Sequence, residues 1–387
     1  MLDRRVRITL VSGSLGGGGA ERNIVWLGGA LAAAGHSIML LTVRPDIPDF
    51  YRVPAGVTRV KAPSEAALPC RWHGWRCVQS RNRALGTAIQ DTKPEAVVSF
   101  IDTLNISVLM SLKSTSIPVI VAERTDPRRH RIGLRWSTLR RIYYPTAAAV
   151  VVQTRSVAKW AETVRPRWQV ATISNPVRSS PLDSGSRPPW FGPFNVVAVG
   201  RLSAEKGFDC LIDAFGLLAK QAPDWHLTIV GEGGRRAELT ERASRYRLGN
   251  RVHFVGTVAE PQSILMHADL FVLSSRYEGF PNALCEAMSC GLAVVSFDCP
   301  SGPAEIIQDG VNGFLAPAGD TDALRDRMLT LMKDEGKRHR LGQQAKEVSR
   351  LYSEARILSQ WEELLHSVIR RSGKADVQGL LEDSGRA

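Results

Sequence analysis

Apolar runs without polar alternation recur along this chain of 387 residues: "VRITLVS" (6–12), "IMLLTV" (38–43), "AVVSF" (96–100), "VIVAE" (119–123) and "AAVVVQT" (148–154). A strand covered on both faces has no solvent side for polar residues, so these runs, separated by helix-length segments, predict a parallel sheet with helical crossovers. The first run leads into a glycine loop, "GSLGGGGAE" (13–21), and then a helical stretch, "RNIVWLGGALAAAG" (22–35). After "ISNPVRSSPLDSGSRPPWFGP" (173–193), rich in Pro, Ser and Gly, the theme restarts. "NVVAVG" (195–200), the loop "RLSAEKG" (201–207) and the helix "FDCLIDAFGLLAKQ" (208–221) repeat the opening order. Strands follow at "HLTIVG" (226–231), "VHFVG" (252–256), "LFVLSS" (270–275) and "AVVSFD" (293–298). The pattern predicts two tandem Rossmann-like, doubly wound α/β domains, 1–178 and 194–352, joined by a linker at 179–193. An amphipathic helix over 353–371 is expected to pack back on the first domain, and the polar tail 372–387 to be disordered. In such sheets ligands bind at the carboxyl ends of strands, and facing domains would set the site in the cleft between them.

Composition narrows the class. The length exceeds what one hydrophobic core usually serves, and a mean hydropathy of −0.11 is that of a soluble protein. No run approaches the roughly 18 to 20 apolar residues that span a bilayer. The opening "MLDRRVRITLVSGS" reads as a first strand rather than a signal peptide, so a cytoplasmic site of action is expected. Cys70, Cys77, Cys210, Cys285, Cys290 and Cys299 form no Cys-x-x-Cys pair and no cluster with metal-ligand spacing. They are expected to be reduced thiols. Charge is uneven: residues 1–190 hold 27 Lys and Arg against 12 Asp and Glu, while 191–387 hold 23 against 26. The first half therefore calls for an anionic partner: phosphates, a membrane surface or nucleic acid.

Two stretches carry candidate chemistry. In "LFVLSSRYEGFPNALCEAMSCG" a buried strand runs through a loop into a helix beginning near Asn282, with Glu278 in the loop and Glu286 just over one turn inside the helix. A helix N-terminus offers free N–H groups and partial positive charge to a phosphate. A carboxylate on either side could bind sugar hydroxyls flanking a diphosphate, the layout of a nucleotide sugar; a solvated loop residue and an exposed helix residue are the alternative. In "VGRLSAEKGFDCLIDAF" (199–215), Arg201 and Lys206 lie between strand and helix, with Gly200 and Gly207 permitting close backbone approach. Two cations there suit an anionic leaving group without a metal. The opening glycine loop lacks the Gly-Lys-Ser/Thr of a phosphate-binding Walker loop. It fits the dinucleotide fingerprint only loosely, since no acidic residue ends the following strand, which argues against a dehydrogenase. Asp320-Thr321-Asp322 precedes an amphipathic helix and reads as a cap rather than a metal site.

Taken together, "EGFPNALCEAMSCG", "GRLSAEKGFD", "IVGEGG" (229–234), "CPSGPAEIIQDGVNGFLAP" (299–317) and "GGGGAER" (16–22) resemble the retaining glycosyltransferases of family GT4, over about residues 1–370. The resemblance implies the GT-B fold, two Rossmann-like domains facing across a cleft. It implies that Glu286 binds the donor ribose, that Glu278 faces the transferred sugar, and that Phe280, Pro281 and Asn282 contact sugar and phosphate through their backbone. Arg201 and Lys206 would hold the diphosphate, Gly231, Glu232 and Gly233 the nucleobase, and the loop Gly16, Gly17, Gly18 and Gly19 would close on the donor. It further implies transfer with retention by front-face attack, no cofactor, and a metal-independent enzyme. The family's first-domain His would fall in "VAERTDPRRHRIG" (121–133), where His130, Arg124 and Asp126 are alternatives.

The surplus charge gathers in "RWHGWRCVQSRNR" (71–83) and "RRHRIGLRWSTLRRIYY" (128–144). There Arg71, Arg76, Arg81, Arg83, Arg128, Arg129, Arg131, Arg135, Arg140 and Arg141 mingle with Trp72, Trp75, Trp136, Tyr143 and Tyr144. Cations beside interfacial aromatics suit an anionic bilayer, predicting peripheral attachment to the inner face of the cytoplasmic membrane. "SFIDTLNISVL" (99–109), "VAERTDP" and "CPSGPAEII" also resemble the subgroup that extends polyprenyl-diphosphate-linked oligosaccharides. That implies a UDP-sugar donor with an N-acetylhexosamine or hexose moiety and a lipid-linked glycan acceptor touched by Asp102, Thr103 and Asn105. A GDP-sugar transferase or a nucleotide-sugar 2-epimerase of the same fold is the alternative. Nucleic acid is not expected as a partner, because the basic surplus stops at the linker and no RNA-binding signature accompanies it.

Overall fold

The computed structural model describes residues 4–44, 46–63, 74–164, 170–178 and 186–384. The chain divides into two units, Met1–Ser174 with Ala355–Ala387, and Asn175–Glu354. The first contains β1 (Arg7–Ser12), α1 (Gly19–Ala33), β2 (Ser37–Thr42), β3 (Val57–Lys61), α2 (Gly74–Gln90), β4 (Ala96–Phe100), α3 (Asp102–Leu112), β5 (Val119–Ala122), α4 (Leu134–Tyr143), β6 (Ala149–Val152), α5 (Arg155–Val164) and β7 (Val170–Thr172). Its seven strands lie parallel in the order β3-β2-β1-β4-β5-β6-β7. The second unit contains β8 (Phe194–Val199), a 3₁₀ turn (Ala204–Lys206), α6 (Phe208–Leu218), β9 (Trp225–Val230), α7 (Arg236–Arg245), β10 (Val252–Phe254), α8 (Gln262–Leu265), β11 (Leu270–Leu273), α9 (Asn282–Ser289), β12 (Ala293–Asp298), α10 (Pro303–Ile306), β13 (Phe314–Pro317), α11 (Thr321–Lys333), α12 (Glu335–Ala345) and α13 (Val348–Leu351). Its sheet is parallel in the order β10-β9-β8-β11-β12-β13. The last helix, α14, is Glu354–Ser384.

The period-two alternation of a strand explains how one apolar run serves two layers. Ile8, Leu10, Leu40, Val98 and Ile120 pack with Ile24, Leu27 and Leu31 of α1, and with Ile357, Trp361, Leu365 and Val368 of α14. Val11, Leu41, Val97, Val121 and Val150 turn the other way onto Leu85, Ile106, Leu109 and Val157. The Trp361 ring stacks on Phe100 with centroids 6.2 Å apart. In the second unit, Val196, Leu227, Leu270 and Val295 meet Leu211, Phe215, Leu324 and Met328. Val197, Phe271 and Val294 meet Leu284 and Met288 on the opposite face.

Three strands absent from the sequence expectation, β3, β7 and β13, complete the sheets. Each is an edge strand with exposed or half-buried positions: β3 mixes Arg, Lys and Thr into its run, β7 spans three residues, and β13 is a four-residue run that ends on Pro317. The helix expected to end at Arg371 runs on to Ser384, where a disordered tail was expected. No proline interrupts 372–384 to stop it. In both sheets the strand order reverses beside the first strand, at β1/β4 and β8/β11. Loops leaving such a pair diverge and open a crevice at the carboxyl edge.

Candidate active site

The second unit's crevice brings together the two loops singled out by sequence. Lys206 ends the turn after β8 and Glu278 lies in the loop after β11. The Lys206 Nζ donates to Glu278 Oε1 at 2.7 Å, and the Ser275 hydroxyl donates to the same oxygen at 2.6 Å. Glu278 is buried, 7% exposed, and its carbonyl accepts from the Ser301 hydroxyl at 2.8 Å. The loop "CPSGPAEII" is thereby tied to Glu278. Glu286 lies one turn into α9 and is likewise buried, 6% exposed, so the solvated alternative for this carboxylate pair does not hold. Phe280 is buried with its ring edge-on to Tyr352 at 5.3 Å. Pro281 caps α9, with Gly302 packed so tightly on its ring that a Cβ would stand 2.7 Å from Pro281 Cδ. Asn282 Oδ1 accepts from Asn175 Nδ2 at 2.8 Å.

Arg201 is exposed in the loop after β8. The "IVGEGG" segment packs beside it: the Leu202 N–H donates to Glu232 O at 2.9 Å. A Cβ on Gly231 would stand 1.9 Å from Gly200 O, and one on Gly233 2.4 Å from Leu202 O. Only glycine permits two backbones to pass this closely. The Glu232 carboxylate is engaged by Arg236, whose guanidinium also donates to Phe254 O at 2.9 Å. Asp320 caps α11, accepting from the Ala323 N–H at 2.9 Å, and Asp322 pairs with Arg325 at 2.5 Å.

The first unit's crevice holds the other group of residues. The glycine loop shortens to residues 13–18, because α1 begins at Gly19, with the Ser14 hydroxyl accepting from the Gly16 N–H at 3.3 Å. Gly17 lies against the Phe50 ring and Gly18 forms the N-terminal boundary of α1. After β4, Ile101 adopts φ of 78°, a rare and costly conformation for a β-branched residue and one that gathers at functional sites. It delivers Asp102, 5% exposed, to the crevice. There Asp102 Oδ1 accepts from the Thr103 N–H at 2.6 Å and Oδ2 lies 3.5 Å from His130 Nε2. Arg124 stacks over the Phe100 ring at 3.6 Å, and burial lowers its guanidinium to about 9.

Two expected acceptor-side residues are frame instead. Asn105 is fully buried and donates to Ala122 O at 3.1 Å and to the Tyr144 oxygen at 3.3 Å. Asp126, also fully buried, is held by a two-bonded fork from Arg128, Nε to Oδ1 at 2.9 Å and Nη2 to Oδ2 at 2.8 Å. It fixes the shape of the loop that carries His130.

A functional candidate the sequence passed over is Glu123, directly after β5. It is 2% exposed; its Oε1 accepts from the Tyr144 hydroxyl at 2.6 Å and lies 3.6 Å from Arg140 Nη1. Its Oε2 is unpartnered. Burial pushes its carboxyl up to about 7, against the pull of Arg140 and Tyr144 and with a push from Asp102. The available signal was an acidic residue closing an otherwise apolar buried strand.

The basic surface is also corrected in part. Tyr144 is fully buried, and Trp136 and Tyr143 pack against the core. The apolar residues that α4 leaves outside are Leu134, 90% exposed, and Ile142, 56% exposed. Arg129, Arg131, Arg135 and Arg141 are exposed around them, while Arg140 turns inward to Glu123 and the Trp160 ring. Cys70, Arg71 and Trp72 and the linker positions 179–185 lie outside the described residues, as do the side chains of Trp75, Arg76 and Cys77. Among the described residues no helix is long and apolar enough to cross a membrane.

Comparison with known proteins agrees with this layout. Residues 17–180 match the family described as Glycosyltransferase Family 4, and residues 191–348 match Glycosyl transferases group 1. A relative from Campylobacter jejuni is 26% identical over 365 residues, covering 94% of this chain and 99% of its own. Its name is GalNAc-alpha-(1->4)-GalNAc-alpha-(1->3)-diNAcBac-PP-undecaprenol alpha-1,4-N-acetyl-D-galactosaminyltransferase. Sucrose-phosphate synthase from Thermosynechococcus elongatus shares the fold with a TM-score of 0.80 at 20% identity, over 95% of this chain and 100% of that one. Anabaena HepE, solved with UDP and glucose, does so with a TM-score of 0.76 at 20% identity, over 94% and 100%. With both halves matched and the GT-B fold in place, the chain belongs to the family 4 glycosyltransferases and is a glycosyltransferase.

Proposed function

We propose that this enzyme moves an N-acetylhexosamine or hexose from a UDP-sugar to a lipid-diphosphate-linked glycan, with retention and without a metal, in the assembly of cell-surface glycans. The observation that carries the reading is the buried Glu278 bonded to Lys206, with Arg201 nearby in sequence and a second buried carboxylate, Glu286, in the helix that begins at Asn282. Lys206, Arg201 and the N-terminus of α9 supply positive charge to a departing diphosphate, the role a metal would otherwise fill. Glu278 already accepts from Lys206 and Ser275 on one oxygen. A carboxylate so engaged orients a sugar and stabilises an oxocarbenium-like centre better than it attacks one, which favours front-face transfer. UDP in the HepE structure and the undecaprenol-linked acceptor in the name of the Campylobacter relative support the choice of donor and acceptor.

Attachment to an anionic inner membrane face belongs to the same proposal. Leu134 and Ile142 stand out of α4, eight residues apart and so on one side of the helix, among exposed arginines. Apolar insertion plus basic charge is what an interfacial helix needs.

Calorimetric titration of UDP, GDP and ADP in the presence of EDTA tests the donor. Binding selective for UDP and weakened by roughly 10- to 100-fold in Arg201→Ala is expected from loss of a charge-assisted contact. Selectivity for GDP, or binding only with added metal, would refute that part of the reading. Leu134→Glu with Ile142→Glu should abolish sedimentation with phosphatidylglycerol vesicles; full retention would refute the membrane surface.

A further inference from the structure

Each residue of the turn Ala204–Lys206 has its carbonyl oxygen bound from the loop after β11. The Arg276 guanidinium donates to Ala204 O at 2.6 Å, the Arg276 backbone N–H to Glu205 O at 2.8 Å, and the Ser274 hydroxyl to Lys206 O at 3.0 Å. The same guanidinium makes a two-bonded fork with Asp209 in the first turn of α6, at 2.9 and 2.6 Å. Burial alone would raise the Asp209 carboxyl, but the bonds and charge of Arg276 outweigh it and hold the group below the usual carboxylate range. Arg235 of the loop before α7 closes on Asp209 from the other side at 3.6 Å.

The bond between Lys206 and Glu278 differs in kind from these. A diphosphate competes with Glu278 for the Lys206 ammonium, so that bond opens when the ligand arrives. In the bonds to the turn the acceptors are backbone carbonyls, and the Arg276 guanidinium is already engaged by Asp209. We infer that Arg276 is a positioning residue for the transfer: by gripping Ala204, Glu205 and Asp209 it keeps Lys206 aimed at the diphosphate after Lys206 has left Glu278. The inference rests on the proposed diphosphate role of Lys206.

Titration with UDP and with UMP, which lacks the second phosphate, separates positioning from general structural support. Arg276→Ala should weaken UDP by roughly 10-fold, the loss of one well-placed charged contact, and leave UMP unchanged, since the Gly231–Gly233 segment is held by other bonds. Arg276→Lys, which restores one donor, should recover part of the UDP affinity. Asp209→Asn, nearly isosteric, reads the same ratio should Arg276→Ala unfold, and should show a smaller loss confined to UDP. Equal weakening of UDP and UMP, or unchanged UDP binding, would overturn the assignment. Wild-type protein that binds no nucleoside diphosphate at all would overturn the donor reading and this inference with it.

Discussion

The two crevices are built on the same strand order yet use glycine and carboxylate in opposite ways. In the second unit the protein itself demands the glycines: at Gly207, with φ of 62°, a Cβ would stand 2.0 Å from Ser274 O. In the first unit, a Cβ on Gly16 would meet Ser14 Oγ at 3.4 Å, one on Gly17 the Phe50 ring at 3.5 Å, and one on Gly13 nothing within 4 Å. A Cβ on Gly18 would strike the Glu21 carboxylate, the movable end of a side chain, so none of these glycines is crowded by fixed backbone and bare backbone there is free to serve a ligand. The carboxylates divide in the same manner. Glu278 is bonded by an ammonium and a hydroxyl, whereas Glu123 keeps one oxygen unpartnered and titrates near neutrality. One crevice is a frame of paired charges; the other holds slack.

The largest test of this contrast removes the frame's charges. Lys206→Ala or Glu278→Ala should lower glycosyl transfer roughly 10²- to 10⁴-fold, as loss of preorganised charge does, with the circular dichroism spectrum unchanged; near-normal rates in both would break the comparison outright. Next comes Glu123→Gln. A carboxyl raised from 4.5 to about 7 binds its proton more tightly folded than unfolded, so stability is full below pH 4.5 and falls as pH climbs to 7. The wild type should lose up to about 3 kcal/mol relative to Glu123→Gln across that window in urea titrations. Parallel curves would mean that the slack in the first crevice is not electrostatic. Gly207→Ala should cost about 2 kcal/mol or more, whereas Gly17→Ala should stay within about 0.5 kcal/mol. Equal losses would erase the distinction between the two sets of glycines. Smallest, Asp320→Ala should cost about 1 kcal/mol through its lost cap and leave transfer untouched, sharpening the point that only crevice carboxylates carry the chemistry.

Legibility followed burial. Strands such as β4, buried at every position, stood out as apolar runs, while β3 and β7 did not, because an edge strand has fewer covered positions and mixes Arg, Lys and Thr into its sequence. Lys206, Glu278 and Glu286 were legible because their spacing sits on a strand, a loop and a helix start. Glu123, Arg276 and Asp209 were not: their roles depend on partners 17 to 72 residues away in sequence, such as Arg140 and Ala204. No local pattern announces such a pair. The aromatics of α4 misled for a related reason. Period and composition could not tell which side of that helix faces the core, and Trp136 and Tyr143 lie on the covered side while Leu134 and Ile142 do not.

The return of α14 to the first unit has a consequence for how the molecule is made. Trp361, Leu364 and Leu365 pack against the first sheet, so that sheet lacks one of its covers until the chain has passed through the whole second unit. The second unit, a single uninterrupted segment, has its whole sequence available sooner. The unit that contributes the earlier strands is thus the later of the two to have its full sequence present.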